Sequence, residues 1–586
     1  MWLQAPIPEV ITPDPCQYGF KATDDGVNNH AKVGFQTLMT EFTNASVTRV
    51  SGEFPNWIKG RFIRQVGGSF GNLDSPNPME RIEHWFDGVG GAGMYHITDG
   101  EVKFTNKFYD TRGYNIWKSF DNDWARSQVS WATIFSPYNY TRMIENQALF
   151  PDKLDTNPCV SFWKLDEEIL AVTEYHQAML LNKNTMESRG EYPFEDTPDI
   201  GQPHGTILIN QPVHERIDME TGEPWMVTGA VVPLTPVGMG GPLESKLILY
   251  QVINKTRIPK AEIIMGNVSL GECNPVTEAP YPDTTKLMPY LHSFTMTKNY
   301  IIIPGTSMML DYCDAFVYSS PGDPLFKRFW KFKNELKSKV YVVRKSNMEV
   351  VAAMEIDPMF VTHQLNAYEK DGMIMADMLV YDNERVYYDL KVQEMYNGTN
   401  LVTDIARLVI DTSNWSITRQ HLTTEYPVNA EFSQVNNAFH GKEYKYAYLV
   451  MDVLHENSTI LKLNVDTKEE LRYDPGFGHM PWEPIFLPRP GATVEDDGLL
   501  ILNGISVPDN TTFFALVDAK TMKETARFHA PTIIPVSFHN RFYPDPSHDD
   551  TSSGVTDPSE NSPSCATQTL QSIVLATLIA IMTLLI

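Results

Sequence analysis

The feature that most constrains this chain is a succession of short apolar runs, each closed by turn residues, along most of its length. "LESKLILYQVIN", "NYIIIPGTSMML", "KVYVVRK", "YKYAYLVMDV", "DDGLLILNGISV" and "TTFFALVDAK" are examples. Their lengths and their β-branched and aromatic content predict strands, and few long stretches carry a helical period. The chain reads as all-β, with one large domain over residues 21–543. A weak repeat runs through it. "LVIDTSNWSITR", "LNVDTKEELRY" and "ALVDAKTMKETAR" each give a strand, a polar turn and a second strand, with Asp411, Asp466 and Asp518 spaced by 55 and 52 residues. "VVRKSNMEVVA" and "LLNKNTMESRG" are looser copies. A period of that size suits a four-stranded propeller blade with its loops, and ordinary hairpins give the same signature.

With 586 residues, 42% of them hydrophobic, the chain can bury a sizeable core. Its formal net charge of −26 argues against nucleic acid as a partner, because phosphate binding needs clustered cations. Five cysteines without a CxxC pair suggest neither a zinc ribbon nor a disulfide framework, and fit a reducing compartment. Against that stand eight N-x-[ST] sequons, at Asn44, Asn139, Asn254, Asn267, Asn397, Asn414, Asn457 and Asn510, which hint at a secretory route. Residues 1–20 form an N-terminal extension without the basic and apolar regions of a signal peptide. At the other end, a Ser/Pro/Asp-rich linker over 544–569 precedes the uniformly apolar "LQSIVLATLIAIMTLLI" of 570–586. That tail is near the short limit for spanning a bilayer and predicts membrane attachment, either as a tail anchor or as a lipid-anchor signal with small residues near Ser564–Ala566.

One basic segment, residues 321–345, holds eight Lys or Arg and two acidic residues. Leu325, Phe326, Phe329 and Trp330 would share one face at helical spacing, the make-up of an interfacial helix at a membrane surface. A solvated basic helix packed by its aromatic face fits equally well.

Four of the fifteen histidines stand beside apolar or aromatic runs: His214 in "QPVHERIDMETGE", His292 in "LMPYLHSFTM", His363 in "MFVTHQLNAYEKDG" and His539 in "IIPVSFHNRFY". A lone histidine in such a setting is ordinarily a satisfied core residue, and gaps of 78, 71 and 176 residues are far too long for a local zinc motif. A propeller changes that, since inner strands of distant blades converge on its axis, and neutral imidazoles suit iron, copper, nickel or zinc. Glu174 in "AVTEYHQ", Glu431 in "VNAEFSQVN" and Glu483 in "MPWEPIFLP" are carboxylates in apolar surroundings, of the kind that accepts the second ring N–H of a metal-binding histidine.

At these residues the sequence resembles the carotenoid cleavage oxygenases, the family of the animal β-carotene oxygenases and the retinoid isomerohydrolase. The matching pieces follow the family order: "GRFIRQVGGSF", "HWFDGVGGAGMYHI", "AVTE", "HERIDMETGE", "PYLHSF", "THQLNAYE", "AEFSQVN", "EPIFLPRPGATVEDDG" and "PVSFHNRF". The resemblance implies a seven-bladed β-propeller with a cap of loops and helices over one axial iron(II). Its ligands would be His214, His292, His363 and His539, with Glu174, Glu431 and Glu483 behind three of them. His204 in "GQPHG" competes with His214, but only His214 precedes the family's "DxxTGE" pattern. Thr362 stands where the family more often has an aromatic residue, and Asn366 and Glu369 read as structural, holding the turn after the ligand strand. The implied activity is O2-dependent cleavage of one double bond of a carotenoid or other apolar polyene, with a central cut favoured over an eccentric one. Isomerohydrolysis of a retinyl ester without O2, or carotenoid binding without catalysis, are the alternatives.

Overall fold

The computed structural model describes residues 30–545, apart from 72–81, 120–148, 197–205, 237–240, 270–286, 313–329, 397–400 and a few single positions. Seven antiparallel sheets of four to six strands form the blades of a β-propeller. Blade one is built on Gly60–Gly67, Gly90–Thr98 and Glu101–Phe108; blades two to six follow over 161–191, 207–268, 295–356, 360–421 and 430–473, and blade seven spans 479–529. The ring is closed at both chain ends. Asn540–Pro544 pairs with Gly60–Gly67 in blade one, and Thr48–Ser51 pairs with Lys523–His529 in blade seven.

The core lies largely between blades, so central strands are covered on both faces and read as continuous apolar runs rather than as alternation. Ile302, Val340 and Val342 of blade four pack with Val361, Ile374 and Leu408 of blade five. Phe62 and Tyr95 of blade one meet Phe514 of blade seven, with Tyr95 stacked on Phe514 at 4.2 Å between ring centres. Gly498, in the motif "EDDG", is required by such closeness: a Cβ there would stand 2.4 Å from the Phe486 ring.

The five repeat copies are outer hairpins of five blades. In each, an N–H bonds to the carbonyl four residues back: Met186 to Asn182, Met348 to Arg344, Trp415 to Asp411, Lys468 to Asn464 and Met522 to Asp518. The donating residue is left-handed every time, with φ of 61°, 56°, 55°, 62° and 54°. Asn182, Asp411, Asn464 and Asp518 cap the turn by accepting backbone N–H bonds on their side chains. The repeat is therefore real, but Asn464, not Asp466, is the counterpart of Asp411 and Asp518. Apolar spacing tolerates a two-residue slip; the turn does not.

The basic segment also departs from expectation. Trp330 lies on a strand, Trp330–Phe332, paired with Met308–Leu310, and is only 5% exposed. Its indole packs edge-on against Tyr290 at 5.2 Å, so it does not face a membrane. Leu325, Phe326 and Phe329 lie outside the described residues, as do the linker and tail beyond residue 545. No described helix is long and apolar enough to cross a membrane.

Candidate metal centre

Four blades deliver one histidine each to a common point. His363 is on the strand Phe360–Lys370; His214, His292 and His539 directly precede the strands Arg216–Ile217, Thr295–Met296 and Asn540–Pro544. One nitrogen from each ring lies within 4.8 Å of the others. The His292 and His363 Nε2 atoms are 3.3 Å apart, and those of His363 and His539 3.1 Å. His204 lies outside the described residues.

The orientation of three rings is set from behind. His292 Nδ1 lies 2.5 Å from Glu174 Oε1, His539 Nδ1 3.0 Å from Glu483 Oε1, and His363 Nδ1 faces Glu431 Oε2. A carboxylate accepts, so each Nδ1 carries the proton and each Nε2 presents a bare lone pair. Lone pairs converging at such distances repel unless a cation sits among them. A metal–imidazole bond of roughly 2.1 Å, taken at right angles, separates neighbouring nitrogens by about 3.0 Å, close to what is found. Among the described residues His214 has no carboxylate behind it and its buried Nε2 has no hydrogen-bond partner, and its ring stands edge-on to the other three. The residues fit a metal ion held by four neutral imidazoles.

Electrostatics agree. Burial, followed by the neighbouring imidazoles His539, His363 and His292, holds His214 well below the ordinary histidine range. Burial, opposed by Glu483, brings His539 down to about 4. Burial would raise Glu431, but the charge and hydrogen bond of His363, with Tyr381 and Thr362, outweigh it and hold the carboxyl at about 2. His214 and His539 are thus neutral, and Glu431 anionic, near neutral pH.

Sequence reasoning missed a layer of hydroxyls. Tyr290 donates to Glu174, Tyr381 to Glu431, and Tyr387 lies 2.7 Å from the Tyr290 hydroxyl and 2.9 Å from His292 Nδ1. Burial, then nearby carboxylates, pushes all three phenols well above their usual range, so they remain donors. Tyr290, two residues before His292 in "PYLHSF", carried a local signal; Tyr381 and Tyr387 carried none. Asn366 and Glu369 are structural, but not at a turn. Both lie within the ligand strand, where Asn366 donates to the Phe439 and Lys442 carbonyls and Glu369 accepts from Thr297 and Asn299.

Two environments meet at the histidines. One is aromatic: Phe432 packs on His363 and His539, Trp482 on Phe432, Trp85 on Trp482, and Phe538 on Trp85 and Phe86. The other is a cavity of about 990 Å³ with a mixed lining that reaches His214, His363 and His539, where polar residues such as Glu215, Arg216, Gln364, Ser433 and Arg541 stand beside apolar ones such as Met296, Leu365 and Val435. None of those aromatic rings lines it. Both amide atoms of Gln364 and the Ser433 hydroxyl lack protein partners, as is usual where water supplies them.

Known proteins extend the picture. The chain is 24% identical over 539 residues to β,β-carotene 15,15'-dioxygenase of Rattus norvegicus, covering 85% of this chain and 88% of that protein. It is 22% identical over 548 residues to the carotenoid isomerooxygenase of Galleria mellonella, covering 88% and 97% respectively. A variant of Synechocystis apocarotenoid oxygenase shares the fold, with a TM-score of 0.67 at 19% identity over 88% of this chain and 99% of that one. The family model described as RPE65, retinal pigment epithelial membrane protein, matches residues 35–544. With that match spanning nearly the whole propeller, the chain belongs to the RPE65 and carotenoid oxygenase family.

Proposed function

We propose that this protein is an iron(II)-dependent dioxygenase that cleaves one carbon–carbon double bond of a carotenoid, with a central cut yielding retinal. The convergence of four buried imidazoles, three of them backed by carboxylates, carries the reading. The donor set suits several divalent metals, and family membership favours iron(II) among them. When bound, iron(II) supplies the oxygen chemistry, by which both atoms of O2 end on the two carbons of the broken alkene as two carbonyl groups. The chain's own part is placement. His214, His292, His363 and His539 would hold the ion, while Glu174, Glu431 and Glu483 hold the Nδ1 protons and the ring orientations. The aromatic wall of Phe86, Phe432, Trp482 and Phe538 suits a polyene and excludes water from it.

Incubation of the full chain with β-carotene in air is expected to give retinal, and no cleavage without O2. A reaction that continued anaerobically on a retinyl ester would point to isomerohydrolysis instead. His363→Ala is expected to lose bound iron, measured by elemental analysis, together with activity, while its far-ultraviolet circular dichroism stays that of a β protein. Full iron retention in that variant would contradict the assignment. Membrane attachment through residues 570–586 belongs to the same proposal, since an apolar polyene partitions into lipid and its enzyme gains by meeting it there.

A further inference from the structure

Thr362 adjoins a ligand yet has no part in the function proposed so far. It lies on the strand Phe360–Lys370, is 4% exposed, and its Oγ1 donates to Glu431 Oε1 at 2.8 Å. Neighbouring side chains on a regular strand point to opposite faces. Here Thr362 and His363 both contact Glu431, because the pairing register shifts between Val361 and Gln364. The strand bearing Glu431 shifts too, between Glu431 and Gln434, and Phe432 sits at a left-handed φ of 56°. Two irregular strands thus meet at one carboxylate.

Glu431 is loaded differently from its counterparts. Its Oε1 accepts from two hydroxyls, those of Thr362 and Tyr381, while Oε2 takes the Phe432 N–H at 3.1 Å besides facing His363. Glu483 meets the Asn540 N–H and the Gln434 amide besides His539, and Glu174 meets the Tyr290 and Tyr387 hydroxyls besides His292, so each has one donor fewer than Glu431. Each donor draws electron density from the carboxylate, and hydroxyls bonded to an anion are among the stronger donors.

We propose that Thr362 is a positioning residue that weakens the hold of Glu431 on His363, making His363 a poorer electron donor to the metal than His292 or His539. The inference rests on the reading of the four histidines as metal ligands. An outer carboxylate raises the basicity of its histidine, so hydroxyls that quench the carboxylate lower it again. The site then carries unequal ligands on otherwise similar rings.

The opposite sign of the expected effect separates this role from simple structural support. Thr362→Val keeps the shape and removes the hydroxyl. Its affinity for iron(II), measured by competition with a chelator on the full chain, is expected to rise roughly 3- to 10-fold, below the ~10–100-fold effect of removing an outer partner outright. The d–d absorption of the cobalt(II)-loaded variant is expected to shift, Thr362→Ser to restore the parent values, and Tyr381→Phe to move affinity the same way as Thr362→Val. If Thr362→Val failed to fold, Tyr381→Phe would decide. Unchanged or weaker metal binding in the folded variants overturns the inference and leaves the proposed function standing. A parent protein that binds no divalent metal overturns both.

Discussion

His84 and His539 are buried imidazoles kept neutral to different ends. His84 faces the Tyr387 carbonyl and caps a short turn at Phe86, and burial, partly offset by that carbonyl, brings it down to about 3. His539 is held at about 4. In the unfolded chain both return to about 6.5, so below that pH the unfolded state binds more protons than the folded one. Stability is therefore level above about 6.5 and falls as pH drops toward 4, by about 1.4 kcal/mol per pH unit for each such group. Glu431 acts lower down: its contribution is full above its unfolded value of 4.5 and is lost only as pH falls toward about 2. Thermal melts from pH 8 to 4.5 should show a plateau and then a decline, steeper for metal-loaded protein because ligation requires unprotonated rings. A melting temperature flat to pH 4.5 would contradict this. At this scale the four clustered histidines and the glutamates behind three of them stand in short motifs that the sequence shows. The parts played by Thr362 and the tyrosines Tyr381 and Tyr387 were not legible there, because a hydroxyl's value depends on which carboxylate a bulge or a distant loop brings to it.

Strands and turns were legible in kind, less so in register. Runs such as "YIIIPG" predict strands whatever lies beside them, and blade four uses this one as Tyr300–Gly305. Four of the five outer hairpins, all but that of Arg344, start on a residue whose side chain accepts N–H groups two or three positions on, and in blade six that is Asn464. Asn464→Ala is expected to lower stability by about 1 kcal/mol, while Asp466→Ala, two positions past the cap and bound to it only through its backbone N–H, changes it by less than about 0.5 kcal/mol. Urea unfolding of the two variants measures the difference; equal effects would restore the aspartate alignment. Trp330 shows the opposite failure. Its segment satisfies a helical period in sequence, yet Trp330 itself lies on a strand paired with Met308–Leu310 and is buried beside Tyr290. Tertiary pairing overrides a short periodic pattern because both strand and helix can bury the same aromatic rings.

At the scale of the molecule, the ring is held shut where the last described strand pairs with blade one. The same strand follows His539, so closure of the ring and completion of the histidine cluster are one event. A chain ending at residue 545 is expected to melt within a few degrees of the full protein but to leave the membrane fraction. One ending at residue 539 removes Asn540–Pro544 and is expected to lose cooperative unfolding and metal binding together. Calorimetry and membrane fractionation of the two truncations test these outcomes, and a tail-less protein that still sediments with membranes would remove the anchor from the proposal. The sequence by itself determined the all-β class, because strand formers act locally, and it set four histidines and three glutamates in short motifs that family likeness, not spacing, marked as one set. Only the tertiary structure decided which hydroxyls load each carboxylate, which residues cap the hairpins and that Trp330 is buried on a strand. Those depend on contacts between residues tens to hundreds of positions apart, which exist only once seven blades have closed around one axis.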